Sequence, residues 1–197
     1  MPLDVPVLTG RWVQLEPLRP KHRDPLRQAA DHEQIWTHTL TVANGPHFDA
    51  WFDDARAEQG TGRRAPFAVR RVADGRLLGS TSYLDVQLKH KRVEIGSTWY
   101  RPEVWATAVN PECKLLLLQH AFDVLGVNRV ALVTDAVNHR SQSAIARLGA
   151  VREGTLRAHM VSQGGRVRDT VVFSIVAAEW PDMRDRLLQR LANAPKE

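Results

Sequence analysis

The polar residues between Asn138 and Gly154 are the chain's best candidates for chemistry. Asn138 follows an apolar run at 129–134 that is typical of a buried strand, and Ser141 comes three residues after it. Gly149 then ends a short helical pattern, and a new strand pattern begins. This order places polar side chains and a helix N-terminus at the carboxyl edge of a sheet, where ligands bind in α/β folds. The sequence therefore predicts a ligand site at this edge.

The elements that position this segment follow a mixed order. Hydrophobic periodicity and turn signals predict the order β-α-α-β-β-β-α-β-α-β-β-α. Strands are expected at 12–18, 67–72, 77–86, 92–100, 128–135, 151–160 and 167–176, and helices at 21–33, 46–58, 111–125, 139–148 and from 181 onward. Asn110 is expected as the N-cap of the third helix, with Pro111 as its first residue. Antiparallel strands precede one β-α-β crossover, so the fold class is α/β, an α+β mixed sheet.

The composition limits the class of protein. The 197 residues favour one domain, 1–197, and no segment approaches the ~20 apolar residues that cross a bilayer. No signal peptide pattern opens the chain, and the single cysteine, Cys113, excludes an internal disulfide. These features favour a cytoplasmic protein. The sequence has no Cys/His cluster, so no metal site is expected.

Five segments together are similar to a known family. They read RWVQLEPL, EIGSTWY, WATAVNPECKLLLLQHAF, NHRSQSAIARLGAVREGTLR and RDTVVFSI. They resemble the GNAT superfamily of acyl-CoA N-acyltransferases, and more narrowly its Rim-type branch of ribosomal-protein N-terminal acetyltransferases. The resemblance covers about residues 8–180. It implies the GNAT fold, with a splayed central sheet, helices on both faces and a gap between two parallel strands for pantetheine. It also implies an enzyme that moves an acetyl group from acetyl-CoA to a primary amine.

The resemblance assigns the CoA pyrophosphate to the loop before the leucine-rich helix. In the family, an Arg/Gln-x-x-Gly-x-Gly/Ala pattern there holds phosphate on backbone N–H groups at a helix N-terminus. The corresponding cofactor-binding residues are Trp105, Ala106, Thr107, Ala108, Val109 and Asn110. Alanines stand at the glycine positions 106 and 108, and alanine tolerates a close approach only at negative φ. Glu112 would oppose a phosphate unless its carboxylate points away.

The resemblance gives roles to three residues of the following strand-helix segment. It places the side chain of Asn138 near the pantetheine arm and makes Ser141 a candidate for a cofactor contact and for the proton donor to the leaving thiolate. Many family members carry a tyrosine as that donor, at the position of Ile145 here. Arg147 is a candidate partner for a CoA phosphate. The structural alternatives are helix capping for Asn138 and Ser141, and a solvated surface charge for Arg147.

Glu94 is the candidate general base. The resemblance places its strand, 92–100, beside the thioester, where the backbone of Ser97, Thr98 and Trp99 would bind pantetheine and polarise the carbonyl. An amine must be neutral to attack, and a carboxylate can accept its proton. Period-two alternation predicts that Glu94, Gly96 and Thr98 share one face. The alternative for Glu94 is a salt-bridged strand residue.

The acceptor pocket is the least defined part of the prediction. Its candidate residues are Trp36, Tyr83, His159 and Asp169, each with a structural role as the alternative. The acceptor is either a protein N-terminus, such as that of a ribosomal protein, or a small-molecule amine. Nucleic acid is expected only through proximity to the ribosome, and a homodimer is compatible with the family. The competing hypothesis is a non-catalytic module that binds acyl-CoA or nucleic acid, because the pyrophosphate loop departs from the family pattern.

Overall fold

The computed structural model describes residues 3–194 and places eight strands in one mixed sheet. The strands are β1 (Leu8–Thr9), β2 (Val13–Pro17), β3 (Arg64–Arg71), β4 (Leu77–Gln87), β5 (Arg92–Tyr100), β6 (Arg129–Asp135), β7 (Val151–Val161) and β8 (Val167–Val176). The helices are α1 (Arg23–Ala30), α2 (Phe48–Thr61), α3 (Val109–Gln119), α4 (His139–Ala146) and α5 (Trp180–Ala192). The predicted order of elements is confirmed, with the short β1 added at one edge.

Two antiparallel blocks meet at one parallel junction in the middle of the sheet. The strand order is β1-β2-β3-β4-β5-β6-β8-β7. Strands β1 to β5 form an antiparallel meander, and β6, β8 and β7 form a second antiparallel block. Among the strands within residues 3–194, only β5 and β6 run parallel, because α3 carries the chain between them. The mixed sheet expected from the sequence is confirmed.

The helices cover both faces of this sheet. Alternate residues of β3 show the division, since Phe67 and Val69 pack in one apolar cluster and Ala68 in another. The first cluster holds residues of α3, α4 and α5, and the second holds residues of α1 and α2. Within residues 3–194, no helix is long and apolar enough to span a membrane.

Helix α3 begins earlier than the sequence predicts. Its N-cap is Ala108, so Asn110 lies in the first turn and Pro111 is the third helical residue. The Thr107 hydroxyl explains the shift, because it accepts a hydrogen bond from the Val109 N–H at 3.3 Å and so satisfies a first-turn donor. Proline is tolerated there, since first-turn N–H groups have no acceptor within the helix. The predicted N-cap role of Asn110 is therefore wrong.

Candidate active site

The parallel junction opens into a gap after three residue pairs. Strand β5 pairs with β6 only at Arg92–Arg129, Val93–Val130 and Glu94–Ala131. Both strands continue, β5 to Tyr100 and β6 to Asp135, without further pairing to each other. The β5 edge beyond Glu94 therefore presents backbone N–H and C=O groups with no strand partner on that side. An extended ligand with amide groups could complete the sheet there.

A β-bulge lies on β5 beside this gap. Ser80 pairs with Trp99 and Ser82 with Gly96, so Thr81 of β4 faces two β5 residues, Ser97 and Thr98. Ser97 has φ +46°, a left-handed conformation that is uncommon for serine. The extra residue also reverses the alternation of faces on the strand beyond it.

This reversal corrects the period-two prediction for β5. Thr98 turns toward α3, where its hydroxyl accepts a hydrogen bond from Lys114 Nζ at 2.9 Å. Trp99 turns to the opposite face and packs against Trp36 and Trp51. Thr98 therefore does not share a face with Glu94, because the bulge inserts one residue between them.

Arg64 hydrogen-bonds to the bulge from the α2 side of the sheet. Its guanidinium donates to Ser97 Oγ at 2.8 Å and to Ser82 Oγ at 2.9 Å. The side chain is buried, and burial lowers its pKa while Glu58 acts against that shift. The sequence analysis missed Arg64, since no local motif relates it to a serine thirty-three positions later.

Glu94 forms the last β5–β6 pair before the gap, with Ala131. Within residues 3–194 its carboxylate makes no hydrogen bond and no ion pair, so a salt-bridged role is not observed. Burial, with a smaller contribution from nearby Asp85, raises the pKa of Glu94, while Arg168 and Arg92 act in the opposite direction. A partly buried carboxylate that holds its proton more tightly than usual is suited to accept one from a substrate.

A second polar group lies across the gap, at the end of β6. Asp135 is only 2% exposed and accepts hydrogen bonds from the Val137 N–H, at 3.0 Å, and from Arg166. Burial alone would raise its pKa, but Arg166 and the Val137 N–H outweigh burial and the pKa is lowered. Arg168 Nε and Thr170 Oγ1, on the neighbouring β8, are buried without a hydrogen-bond partner among the described residues. Both atoms are enclosed by the protein, and Arg168 Nε lies 3.9 Å from Asp135 Oδ2.

The loop at 105–110, which is predicted to bind the CoA pyrophosphate, adopts at Ala106 a backbone conformation that favours glycine. Ala106 has φ +64°, which is strained for alanine, so the condition of negative φ stated above is not met. Trp105 is anchored by a hydrogen bond from its Nε1 to the Tyr100 carbonyl at 3.0 Å. The Thr107 hydroxyl donates to the Val104 carbonyl at 2.8 Å. Ala108 and Val109 are buried where α3 starts, and within the described chain the Asn110 N–H has no acceptor.

Glu112 points away from this loop. Its carboxylate accepts hydrogen bonds from the backbone N–H groups of Arg11, Trp12 and Val13, each at 2.7 Å. It therefore ties α3 to the start of β2 and does not oppose a phosphate at the helix N-terminus. Gly10 is required beside it, because a Cβ there would lie 2.4 Å from the Glu112 carboxyl carbon.

The residues of α4 take the positions that capping requires. Asn138 Oδ1 accepts a hydrogen bond from the Ser141 N–H at 3.0 Å, so Asn138 is the N-cap of α4. This bond uses only the amide oxygen of Asn138 and leaves its NH₂ group for a ligand. Ser141 is partly buried, whereas Arg147 is exposed and its Nε donates to the Ser143 carbonyl of its own helix at 3.2 Å.

Tyr83 cannot contact a substrate in this structure. It is fully buried against Phe67, its hydroxyl donates to the Leu117 carbonyl, and it lies on the α3 side of the sheet. This burial gives no support to the predicted place of Tyr83 in the acceptor pocket. The sequence of β4 does not indicate that Tyr83 lies on the face of the sheet that α3 covers.

The remaining acceptor candidates lie on different elements. Trp36 is buried against Trp99, and its Nε1 donates to the Ala30 carbonyl at 2.9 Å, so it offers only its ring. His159 is exposed on β7. Asp169 is exposed and accepts a hydrogen bond from the Ala158 N–H at 2.7 Å, where Ala158 has φ +47°. The structure thus uses Asp169 to hold an irregularity in the β7–β8 hairpin.

The comparisons with known proteins agree with this geometry. The family model described as Acetyltransferase (GNAT) domain matches residues 13–151. The chain belongs to the GNAT family of acetyltransferases, as the resemblance implied.

Individual relatives extend this similarity. The uncharacterized N-acetyltransferase YoaA of Bacillus subtilis is 31% identical over 56% of this chain and 61% of its own length, so the chain spans about six tenths of that relative. A GCN5-related N-acetyltransferase from Brucella melitensis is 33% identical, with a TM-score of 0.87 over 95% of this chain and 86% of that chain. The RimJ protein of Mycobacterium smegmatis, solved with CoA-disulfide, is 21% identical and shares the fold, with a TM-score of 0.78 over 95% of this chain and 92% of that chain.

Proposed function

We propose that this protein transfers an acetyl group from acetyl-CoA to a primary amine by direct attack of the amine on the thioester. The gap between β5 and β6 beyond the Glu94–Ala131 pair carries this proposal. The gap exposes a strand edge at the centre of the sheet and leads to the N-terminus of α3. A pantetheine arm has amide groups that fit such an edge, and a pyrophosphate fits the end of a helix.

The residues around the gap suit the two ends of the donor. The unpaired Asn110 N–H and the N-terminus of α3 favour the negative charge of a pyrophosphate. The NH₂ group of Asn138 faces no partner among residues 3–194 and is suited to a pantetheine carbonyl. The bulge at Ser97 and Thr98 presents β5 backbone N–H groups, which would stabilise the oxyanion that forms from the thioester carbonyl.

Glu94 supplies the base in this proposal. It lies at the point where the strands separate, and its carboxylate is not engaged by another residue within the described chain. Accepting the proton of the amine, directly or through one water, would leave a neutral nucleophile. Burial raises the pKa of Glu94, which favours this step.

The charges near the gap favour an acceptor with one amine over a polyamine. A polyamine needs several free carboxylates, whereas Asp135 is already paired with Arg166 and has Arg168 beside it, Nε to Oδ2, at 3.9 Å. Of the two carboxylates described beside the gap, Glu94 and Asp135, Glu94 alone is unpaired. A protein N-terminus or a small monoamine is the acceptor class that follows.

A thiol-release assay with acetyl-CoA and a panel of amines tests the proposal. Peptides with a free N-terminus and monoamines should release CoA, while the same peptides with a blocked N-terminus serve as controls. Release with spermidine but with no peptide or monoamine would contradict the acceptor class. A melting temperature that rises with CoA, but without transfer to any amine, would instead favour the non-catalytic module.

A further inference from the structure

Lys114 is a buried lysine at the centre of an apolar helix. It is 5% exposed and follows Cys113 in α3, just before four consecutive leucines. Its Nζ donates a hydrogen bond to Thr98 Oγ1 at 2.9 Å. An ammonium has three N–H donors, and this bond is its one hydrogen bond within residues 3–194.

No negative charge in the described chain compensates this ammonium. Lys114 forms no ion pair within residues 3–194, and the Glu112 carboxylate in the same helix is held by backbone N–H groups at the start of β2. The neighbouring Cys113 is a neutral thiol, because burial raises its pKa to about 12. On β5, burial raises the pKa of the Tyr100 hydroxyl as well. Among the described residues, no carboxylate pairs with the Lys114 ammonium, and burial lowers the pKa of Lys114 to about 8.

A buried ammonium without a counter-charge is unfavourable for folding. Desolvation of a charged group is among the largest costs in a protein interior, and it is normally offset by an ion pair. A lysine kept under these conditions indicates that a negative charge reaches the site during function. Leucine or methionine would fill the same position in the helix without that cost.

The position of Thr98 shows where such a charge would arise. Thr98 belongs to the β5 bulge, beyond the point where β5 and β6 separate. Its hydroxyl also lies 2.8 Å from Thr81 Oγ1, so the Lys114 contact continues into β4. The ammonium is thus linked by one hydroxyl to the strand segment that lines the gap.

We propose that Lys114 is a positioning residue for acyl transfer, whose ammonium acts through Thr98 to compensate the negative charge that develops on the thioester and on the departing sulfur. The inference rests on the proposed function. The amine nitrogen forms a bond to the carbonyl carbon, and an electron pair moves to the oxygen. That pair returns as the C–S bond breaks, and sulfur takes the bonding pair as CoA thiolate. Glu94 passes the first proton, that of the ammonium, to solvent, and it then takes the second proton, which the nitrogen loses as the amide forms. Lys114 keeps its own protons.

The replacement of the family's tyrosine on α4 agrees with this role. Ile145 occupies the position of the family's tyrosine and is buried in the apolar cluster on the α3 side. A thiolate can leave unprotonated if a nearby cation stabilises it. Lys114 lies on the same side of the sheet as α4, so it can supply that cation from the neighbouring helix.

The substitution Lys114→Met tests the inference, with Lys89→Met as the control because Lys89 is exposed. We expect kcat to fall roughly 10- to 100-fold with little change in KM for acetyl-CoA, a smaller loss than that of a direct oxyanion donor. The melting temperature at neutral pH should stay or rise, since a buried charge is removed. A lysine with only a structural role would instead lower it and leave kcat unchanged.

Two binding measurements separate an effect of Lys114 on the CoA sulfur from an effect on the CoA phosphates. The pKa of the bound CoA thiol, followed by thiolate absorbance, should be lower in the wild type than in Lys114→Met. Affinity for desulfo-CoA, which lacks the sulfur, should be equal in both proteins. Thr98→Val should reproduce part of the change in thiol pKa, and it tests the link even if Lys114→Met does not fold.

The outcomes separate this inference from the proposed function. A wild type that transfers acetyl groups, with kcat and thiol pKa unchanged in Lys114→Met, would overturn the role of Lys114 alone. An equal loss of affinity for CoA and desulfo-CoA would also overturn it, because Lys114 would then act on the phosphates. A wild type that binds no CoA would overturn the proposed function and this inference together.

Discussion

Arg140 of α4 lies over the indole ring of Trp105, with its Cζ 3.6 Å from the ring centroid. Trp105 follows β5 and Arg140 follows β6, so their contact spans the two sides of the gap beyond the paired strands. Burial against the ring lowers the pKa of Arg140. The arrangement places a cation at the end of the gap where the pyrophosphate is proposed to bind.

Arg140→Ala should therefore weaken CoA binding more than Arg147→Ala does. A charge-assisted hydrogen bond to phosphate contributes about 1.5–3 kcal/mol, or at least tenfold in Kd. Arg147 is exposed and bonded to its own helix, so its removal should change Kd by less than about threefold. Calorimetry at two salt concentrations measures both. Equal losses for the two variants would contradict a special role for Arg140.

Ala106→Gly should stabilise the protein. The positive φ of Ala106 costs about 1–2 kcal/mol, and glycine removes that cost while adding some entropy to the unfolded chain. The expected net gain is about 0.5–1 kcal/mol, measured by urea unfolding. Ala50→Gly, at an exposed site within α2, is the matched control and should lose about 0.5–1 kcal/mol. A loss at both sites would show that the left-handed conformation of Ala106 is not kept in solution.

Glu94→Gln should slow transfer by roughly 10²- to 10⁴-fold, the range for loss of a general base. In the wild type, activity should fall as the pH drops through the raised pKa of Glu94, because a protonated carboxyl cannot accept the amine proton. The variant should lack this acidic limb in its profile of kcat/KM against pH. An unchanged rate and profile would remove Glu94 from the mechanism.

The same substitution has a consequence for stability. A raised carboxyl pKa means that the folded state holds the proton more tightly than the unfolded state. The stabilisation is complete below the unfolded pKa and is lost as the pH rises through the folded pKa. Glu94→Gln should therefore be at least as stable as the wild type at neutral pH, so lost activity there would not reflect unfolding.

Glu112→Gln should destabilise the protein by about 2–4 kcal/mol. The buried carboxylate satisfies three backbone N–H groups, and a neutral amide cannot satisfy all of them. Gly10→Ala tests the same contact from the other side, since its Cβ would collide with the Glu112 carboxyl group. Glu33→Gln, at an exposed position, should change stability by less than about 0.5 kcal/mol. Unfolding midpoints that match for Glu112→Gln and Glu33→Gln would refute this structural role.

Local patterns predicted most elements but not every face. The leucine run of α3 and the Asn138–Ser141 spacing each describe neighbours in the chain, and both produced the expected helix. The face of Thr98 was predicted wrongly, because one extra residue at Ser97 reverses a period-two pattern. Lys114 is recognisable in the sequence as a charged residue within an apolar helix, but no sequence pattern indicates that Thr98 on β5 is its partner.

By itself, the sequence determined the order of strands and helices, the mixed sheet and the resemblance to acyl-CoA transferases, because turns, caps and hydrophobic periods depend on residues a few positions apart. The tertiary structure decided where β5 leaves β6, which face each β5 side chain takes, and that Glu112 holds the start of β2, one hundred positions away at Trp12. Those features depend on contacts between distant segments. Only folding brings such segments together, so no local pattern specifies them.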